Sequence, residues 1–193
     1  MRALSVHAVA STDTLIARCI DGDRSAWREL HRALQPATSA FLRQMGVGPE
    51  DIDDACQDVF VQLFRYLPRF ERRSELKTWV CRICVSQASR LRHNHTVRRT
   101  IARLLGTQHA SAPAAVGADG TGLEARREME AALEKMSQRQ RLVFVLYELH
   151  GLPGEEIARI VACPHATVRG RLREARTILS QTLAERTTKG GAP

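Results

Sequence analysis

Apolar residues recur every three or four positions along most of this chain, and no useful stretch alternates apolar and polar residues. The first spacing is typical of helices that bury one face, whereas strict alternation would be typical of strands. Because Pro36 cannot continue a helix, we expect it to separate a second helix from a third. The helices predicted in the first half lie near residues 12–20, 24–35, 37–45, 51–66 and 75–91. Asp23, Ser74 and, in the second half, Ser137 can each cap the helix that follows. The pattern predicts an all-α fold.

A change of composition divides the chain in two. Residues 106–122, GTQHASAPAAVGADGTG, are rich in small residues and lack periodicity, which is typical of a flexible linker. Helical spacing returns after this segment. The predicted organisation is a loose leader (1–11), a helical domain (12–95), a linker (96–124), a second helical domain (125–185) and a short tail (186–193). Each domain is small, so each core should be modest.

The segment GLPGEEIARIVACPHATVRGRLREAR, residues 151–176, predicts a helix-turn-helix. The first helix should run from Gly154 to Val161, and the second from about His165 to Leu183, with Pro164 in the turn. Val168, Leu172, Ala175 and Leu179 form the buried stripe of the second helix. The opposite face carries arginines, whose planar forks match a guanine edge or a phosphate. A solvated basic face is the simpler interpretation of one basic helix, but the whole motif favours DNA recognition.

The charge balance agrees with a polyanionic partner. The chain has 29 Lys and Arg against 21 Asp and Glu, a net charge of +8. No apolar run approaches the roughly 20 residues of a membrane span, and the N-terminus has no apolar core for a signal peptide. We therefore expect a cytoplasmic protein without membrane insertion, whose five cysteines are thiols.

A second signature, DIDDACQDVFVQLFRYLPRF, occupies residues 51–70. One face of this predicted helix is apolar and suits the domain core: Ile52, Cys56, Val59, Leu63 and Leu67. The outward face mixes acids, amides and large apolar groups: Asp54, Gln57, Asp58, Val61 and Gln62, with Phe60 and Phe64 on the flanks. Such a mixture suits a protein–protein contact, although spacing alone fits a solvated face equally well.

Together these segments resemble the extracytoplasmic-function sigma factors of bacterial RNA polymerase. The second conserved region of that family is similar to this acidic helix and its Leu-Pro-x-Phe turn, through Asp51, Asp53, Asp54, Gln57, Asp58, Phe60, Leu67, Pro68 and Phe70. The following segment SELKTWVCRI matches at Ser74, Thr78, Trp79, Arg82 and Ile83. The family's fourth region resembles the helix-turn-helix at Glu155, Glu156, Ile157, Ala158, Pro164, Thr167, Val168, Arg171 and Leu172.

The resemblance implies two roles for the first domain. The acidic helix would dock on the clamp coiled coil of core RNA polymerase through Asp54, Gln57, Asp58, Phe60 and Leu63. The next helix would hold the melted minus-ten strand through Lys77, Trp79, Arg82, Ser86, Arg90 and Arg92. For Trp79 we expect a role in shaping the helix rather than stacking on a base.

The second domain would read the minus-thirty-five element as duplex DNA. Its candidates are His165, Thr167, Arg169, Arg171, Arg173 and Arg176, with Arg169 and Arg173 best placed for bases or phosphates. The linker would span the two promoter sites. The resemblance thus implies a factor that directs polymerase to promoters and assists melting, with no cofactor and no catalytic residue. It also implies an anti-sigma partner.

Three other interpretations of the sequence are open. Cys81 and Cys84, followed by His93 and His95, have the spacing of a zinc site, but two small core thiols and two linker histidines explain them more simply. His93-Asn94-His95 spells a nuclease signature without the strand-and-helix scaffold such sites need. A stand-alone helix-turn-helix repressor or activator explains the C-terminal motif but leaves the acidic helix unexplained.

Overall fold

The computed structural model describes residues 9–70, 75–104 and 123–189, and every regular element within them is helical. Two compact units divide the chain, Met1–Ala114 and Ala115–Pro193. The first unit contains α1 (Val9–Ile20), α2 (Arg24–Gln44), α3 (Ile52–Tyr66) and α4 (Leu76–Leu104). The second contains α5 (Leu123–Lys135), α6 (Gln138–Phe144), α7 (Gly154–Ile160) and α8 (His165–Lys189). The predicted all-α class and the division into two helical units are confirmed.

The core of the first unit lies where α2, α3 and α4 pack against one another, with α1 against α2. The predicted inward face of α3 is confirmed, because Val59, Leu63 and Leu67 have no exposed surface. Short 3-10 turns, Pro49–Asp51 and Leu67–Arg69, flank α3. Each large apolar side chain buried in this way contributes about 1.5–3 kcal/mol.

Asp23 joins α1 to α2. It caps α2 as predicted, because Oδ1 accepts from the backbone nitrogens of Ser25 at 2.7 Å and Ala26 at 3.2 Å. Its other oxygen accepts from Arg18 Nη2 of α1 at 2.6 Å. The Ser25 hydroxyl and then the Arg18 guanidinium lower the pKa of the Asp23 carboxyl. Nearby, Trp27 Nε1 donates to the carbonyl of Cys19 at 2.9 Å. The corner between the two helices is therefore held by specific polar contacts.

The prediction that Pro36 ends a helix is wrong, because α2 continues through it to Gln44. A proline inside a helix loses one backbone hydrogen bond and costs about 3 kcal/mol. Residues on both sides of Pro36 are buried, among them Leu34, Phe41 and Leu42. Their burial offsets the local cost, since each contributes about 1.5–3 kcal/mol. Tertiary packing has overridden the local signal.

Several predicted boundaries also need correction. Helix α1 already begins at Val9, inside the predicted leader, and residues 1–8 lie outside the described part. Helix α4 continues to Leu104, well into the predicted linker, and α8 takes in the start of the predicted tail. Helices extend past the predicted limits because good helix formers such as Arg and Leu continue them without a stop signal. The predicted Ser74 cap and residues 105–122 lie outside the described residues.

The second unit is built around α8, against which α5, α6 and α7 pack. Ser137 caps α6 as predicted, and its side chain and that of Gln140 form a reciprocal capping box. A π-helical turn, Val145–Leu149, follows α6 and leads into α7. The predicted buried stripe of α8 is confirmed at Val168, Leu172 and Ala175. Leu179, the last predicted member of the stripe, is only half-buried, and Thr182, three residues further on, is buried.

The turn between α7 and α8 confirms the predicted helix-turn-helix. Ala162 in this turn has a φ of 49°, in the left-handed region that side chains with a Cβ rarely adopt. Pro164 precedes α8, and its carbonyl accepts from the backbone nitrogens of Thr167 at 2.9 Å and Val168 at 3.2 Å. The start of the second helix is therefore set by backbone contacts that the turn residues allow.

Candidate nucleic-acid and protein-docking surfaces

The predicted docking face of α3 is only partly available to a partner. Asp54 and Gln57 are exposed, and Asp58 and Phe60 are half-buried. Phe60 packs on the ring of His31, with 4.1 Å between the ring centroids. Leu63 is 0% exposed, so its assignment to polymerase contact needs correction. It belongs to the core because its position on α3 matches that of Val59, one turn earlier.

A groove between α2 and α3 lies beside this face. Its volume is about 850 Å³, and its floor is largely aromatic, with Trp27 and Phe64 rings 4.8 Å apart. Phe64 keeps 62% of its surface exposed. The side chains that line it are Arg24, Trp27, Arg28, His31, Arg32, Gln35, Asp53, Cys56, Gln57, Phe60, Val61 and Phe64. Sequence reasoning missed the groove, because only the packing of α2 on α3 brings its two walls together.

The predicted minus-ten face of α4 has exposed side chains at four-residue spacing, Arg82, Ser86 and Arg90. Such spacing places them on one side of the helix. Trp79 lies on the same side but is half-buried, with its ring 5.1 Å from that of Phe70. Lys77 is also half-buried. Trp79 of α4 thus packs on the turn after α3, which agrees with a role in shaping the helix.

Two of the predicted minus-ten arginines already have partners. Arg90 forms an ion pair with Asp58 of α3, and both side chains remain about half exposed. Arg92 donates from Nη1 to the carbonyl of Met45 at 2.9 Å and from Nη2 to Ser89 Oγ at 3.2 Å. Burial lowers the pKa of its guanidinium. Its assignment to DNA needs correction, because its hydrogen bonds tie α4 to the end of α2.

The cysteine pair of α4 lies in the core. Cys81 and Cys84 have no exposed surface, and burial raises the pKa of the Cys84 thiol well above its usual value. His93 is exposed on the same helix, and the side chain of His95 lies outside the described residues. Among the side chains that the structure describes, no three His, Cys, Asp or Glu residues form a group that could hold a metal ion.

Two arginines of α8 are free to bind a ligand. Arg169 and Arg173 are exposed, and their guanidinium groups make no hydrogen bond or ion pair with the described residues. Because they lie four residues apart, they share one side of the helix. The second helix therefore presents two unpaired guanidinium groups on one side, and such groups match guanine edges or phosphates.

Other predicted members of this surface contact the protein itself. Arg176 donates from Nε to Glu148 Oε1 at 2.7 Å and lies over the Tyr147 ring, 5.5 Å from its centroid. Arg171 Nη1 lies 3.5 Å from Cys163 Sγ in the turn. Both arginines therefore brace α8 against neighbouring segments. Thr167 is half-buried at the start of the helix.

Two glycines shape the same surface. Gly154 begins α7, and a Cβ there would come within 2.5 Å of His165 Nε2. Because Gly154 has no side chain, the His165 ring can pack against the start of α7. Gly170, between Arg169 and Arg171, has nothing within 4 Å of the position its Cβ would take. Gly170 therefore leaves the backbone uncovered by a side chain at the centre of the exposed face.

The described helices include none that is long and apolar enough to cross a membrane. Family models match both units: sigma-70 region 2 matches residues 30–98, and sigma-70 region 4 matches residues 126–179. The first match covers most of α2, α3 and much of α4, and the second covers the helix-turn-helix.

Curated relatives and solved structures agree with this match. The chain is 28% identical to the ECF RNA polymerase sigma-E factor of Escherichia coli K12 over 176 residues, which cover 84% of this chain and 88% of the relative. It is 29% identical to the sigma-E factor of Haemophilus influenzae over 186 residues, 88% of this chain and 93% of the relative.

Among solved structures, CnrH in complex with the cytosolic domain of CnrY has a TM-score of 0.62 at 25% identity, covering 89% of this chain and 96% of that one. The sigma factor RpoE of Bartonella quintana, in complex with the anti-sigma factor NepR, has a TM-score of 0.59 at 22% identity, covering 81% and 96%. With both conserved regions matched in order, the chain belongs to the extracytoplasmic-function sigma factors of the sigma-70 family.

Proposed function

We propose that this sigma factor binds bacterial core RNA polymerase through the exposed part of α3, holds the melted minus-ten strand on α4 and reads the minus-thirty-five element with α8. The observation that carries the proposal is the separation of one acidic face and two basic faces onto three helices in two units. A polymerase subunit and two promoter elements are three targets, and each face suits the chemistry of one of them.

The docking contact would be made by Asp54, Gln57, Asp58 and Phe60. Asp54 and Gln57 are exposed, and Phe60 supplies apolar area at the edge of the groove. A protein interface of this kind combines an apolar centre with a charged rim that sets orientation and rate of association. Asp54 has no hydrogen bond or ion pair with a described residue, so its charge is fully available.

The minus-ten contact would be made by Arg82, Ser86 and Arg90, with Lys77 at its edge. Single strands are held by cations along the backbone and by pockets for unstacked bases. Trp79 would hold α4 on the Phe70 turn and so fix where those cations stand. Arg90 would have to exchange Asp58 for a phosphate when DNA binds, since one guanidinium carries both contacts.

The minus-thirty-five contact would centre on Arg169 and Arg173. A guanidinium that bonds O6 and N7 of guanine discriminates against a wrong base by about 1–3 kcal/mol. Gly170 would let the helix backbone approach the DNA closely. His165 and Thr167 stand at the N-terminal end of α8, where helix dipoles favour phosphate oxygens. Arg171 and Arg176 would hold the angle of the helix rather than read bases.

The partners follow from the same surfaces. Both similar solved structures are complexes, one with the cytosolic domain of CnrY and the other with the anti-sigma factor NepR. We propose that a regulator of this kind holds the present chain inactive, and that the chain acts in the cytoplasm, where polymerase and DNA are found. The alternative, a stand-alone repressor or activator, is not favoured, because it assigns no use to the matched first region.

The test is reconstituted transcription with purified protein, sigma-free bacterial core polymerase and a pool of promoters from the source genome. Start sites that require the protein, together with loss of core binding in Asp54→Arg, are expected. Asp21→Arg, the same change of charge at an exposed residue between α1 and α2, is the matched control and should bind core normally. Tight binding of duplex DNA by the protein alone, without core binding or transcripts, would reinstate the repressor.

A further inference from the structure

The side of α2 that faces the groove is polar and aromatic. Its six groove-lining side chains recur at alternating spacings of three residues and one residue, which places them on one side of the helix. They are Arg24, Trp27, Arg28, His31, Arg32 and Gln35. A helix normally presents aliphatic residues to its neighbour, and none of these six is aliphatic. The composition of this side therefore suits a ligand that carries negative charge and flat rings.

Arg24 and Arg28 are exposed cations, and their guanidinium groups make no hydrogen bond or ion pair with any described residue. The acids nearest to them in the sequence, Asp23 and Glu29, pair with Arg18 instead. Four residues advance a helix by about 6 Å, so the two like charges are neighbours that repel each other. The planar fork of each guanidinium matches phosphate oxygens. The pair therefore suits an anion with more than one phosphate group.

An exposed aromatic ring lies beside these cations. Phe64 of α3 keeps 62% of its surface exposed, and its ring centroid lies 4.8 Å from that of Trp27. Val61, three residues earlier on α3, is 49% exposed. A flat nucleobase gains affinity by stacking on such a ring, because every base has a π-face. Stacking would also remove from water an apolar surface that the fold leaves uncovered.

The other end of the groove is less favourable to an anion. Trp27 pairs with Phe64 and His31 pairs with Phe60, so α2 and α3 run in opposite directions along the groove. Asp53, near the start of α3, therefore lies toward the end of the groove opposite to Trp27. Its carboxylate repels a phosphate there. Unpaired positive charge and an exposed ring thus coincide at the Trp27 end.

From this arrangement we infer that the Trp27 end of the groove binds a nucleoside polyphosphate. Its phosphates lie against Arg24 and Arg28, and its base stacks on Phe64. The groove has a volume of about 850 Å³, within the roughly 300–1,000 Å³ of small-molecule sites. The proposed contacts with polymerase and promoter use none of these four residues. The inference therefore adds a ligand site to the proposed function and does not depend on it.

Calorimetric titration of the full chain in magnesium-free buffer is the first experiment, with ATP, adenosine and inorganic triphosphate as probes. ATP should bind at least about tenfold more tightly than either of its parts, because only ATP supplies both a base and phosphates. A tenfold preference corresponds to about 1.4 kcal/mol. Equal affinity for ATP and triphosphate would overturn the inference, because the exposed ring would then play no part. The absence of ATP binding would overturn it as well.

Two substitutions separate the phosphate contact from the base contact. Arg28→Gln should weaken ATP and triphosphate alike, each about tenfold, because it removes one charged hydrogen-bond donor group. Phe64→Leu keeps an apolar side chain but removes the flat ring, so it should weaken ATP about tenfold and leave triphosphate unchanged. If the two variants instead change both affinities in the same way, base and phosphates have no separate contacts, which contradicts the inference.

Arg82→Gln on α4 is the matched control for charge. It makes the same change as Arg28→Gln at an exposed arginine outside the groove lining. Its affinity for ATP should equal that of the unaltered chain. A loss as large as that in Arg28→Gln would indicate nonspecific attraction to a basic protein or binding at the proposed minus-ten face, and either result would overturn the inference.

Single-stranded DNA is the other ligand that offers both phosphates and bases. A strand of about 10 nucleotides, within the range that single-strand sites hold, should leave the affinity for ATP unchanged. Displacement of ATP by this strand, together with weaker strand binding in Arg28→Gln, would assign the groove to nucleic acid and overturn the inference. None of these titrations contains polymerase, so a failure of the proposed function would leave their results unchanged.

Discussion

The two basic faces of this molecule differ in how their arginines are engaged. On α8, the guanidinium groups of Arg169 and Arg173 make no hydrogen bond or ion pair with the described residues, while those of Arg171 and Arg176 contact the protein. On α4, Arg90 is paired with Asp58 and Arg92 with a backbone carbonyl. The α8 face is already formed in the free protein. The α4 face has to exchange an internal partner before Arg90 can bind a phosphate.

This difference matches the state of the DNA that each face would meet. Duplex DNA presents its groove edges and phosphates in a regular geometry, so a rigid preformed face suits it. A melted strand exists only after polymerase has docked and opened the duplex. The ion pair with the docking helix would weaken binding of single strands by the free protein by about 0.2–1 kcal/mol, the contribution typical of such exposed pairs. Separate substitutions of the unpaired and the paired arginines test this difference.

The largest effect is expected from Arg173→Ala on α8. If Arg173 reads a base, the loss is about 1–3 kcal/mol and is confined to one promoter position. Arg176→Ala is the contrast, because its guanidinium is held by Glu148 and Tyr147. The Arg176→Ala substitution should therefore change promoter specificity little. Transcription from a library of single-base promoter variants measures both, and a uniform loss across all positions in Arg173→Ala would assign that side chain to a phosphate.

An effect of similar size is expected from Arg92→Met on α4. Methionine keeps the apolar stem but loses the bonds to Met45 and Ser89, and a hydrogen bond from a charged group contributes about 1.5–3 kcal/mol. The free energy of unfolding should fall by about that amount in urea titrations. Arg82→Met, an exposed control on the same helix, should unfold normally and instead bind minus-ten strand less tightly. If Arg92→Met instead leaves the free energy of unfolding unchanged and weakens strand binding, Arg92 belongs to the DNA-binding face.

Gly170→Ala is expected to separate stability from binding. Alanine is favoured over glycine within a helix by about 1 kcal/mol, and the new methyl group has open space around it. Thermal unfolding of the second unit should therefore shift to higher temperature. If the backbone at Gly170 approaches DNA, promoter affinity falls despite this gain. Unchanged affinity would mean that the glycine is a tolerated defect with no role in the contact.

The smallest effect concerns the Asp58–Arg90 ion pair itself. Both side chains are about half exposed, and such pairs typically contribute about 0.2–1 kcal/mol to stability. A double-mutant cycle with Asp58→Asn and Arg90→Gln, followed by urea unfolding, measures this coupling. The coupling should shrink at high salt because exposed charges are screened. A coupling of zero at low salt would remove the proposed difference between the two faces.

Much of the fold was predictable because helical periodicity is a local property of the chain. The buried faces of α3 and α8 followed from apolar spacing alone, and the Asp23 and Ser137 caps followed from side-chain chemistry. The prediction that a helix ends at Pro36 was wrong for the opposite reason. Its local effect is real, but the helix on either side of it is held by contacts with distant residues, which no local pattern reveals.

The sequence by itself determined the helices, the helix-turn-helix and the family resemblance, since these depend on residues near one another in the chain. Only the tertiary structure decided which candidate side chains remain available. It placed Leu63 in the core, tied Arg92 to Met45 across 47 positions and brought Arg90 to Asp58 across 32. It also closed α2 on α3 to make the arginine-edged groove. The spacing of residues in the sequence shows which side of a helix is polar, whereas the partner of each polar group depends on how separate helices pack.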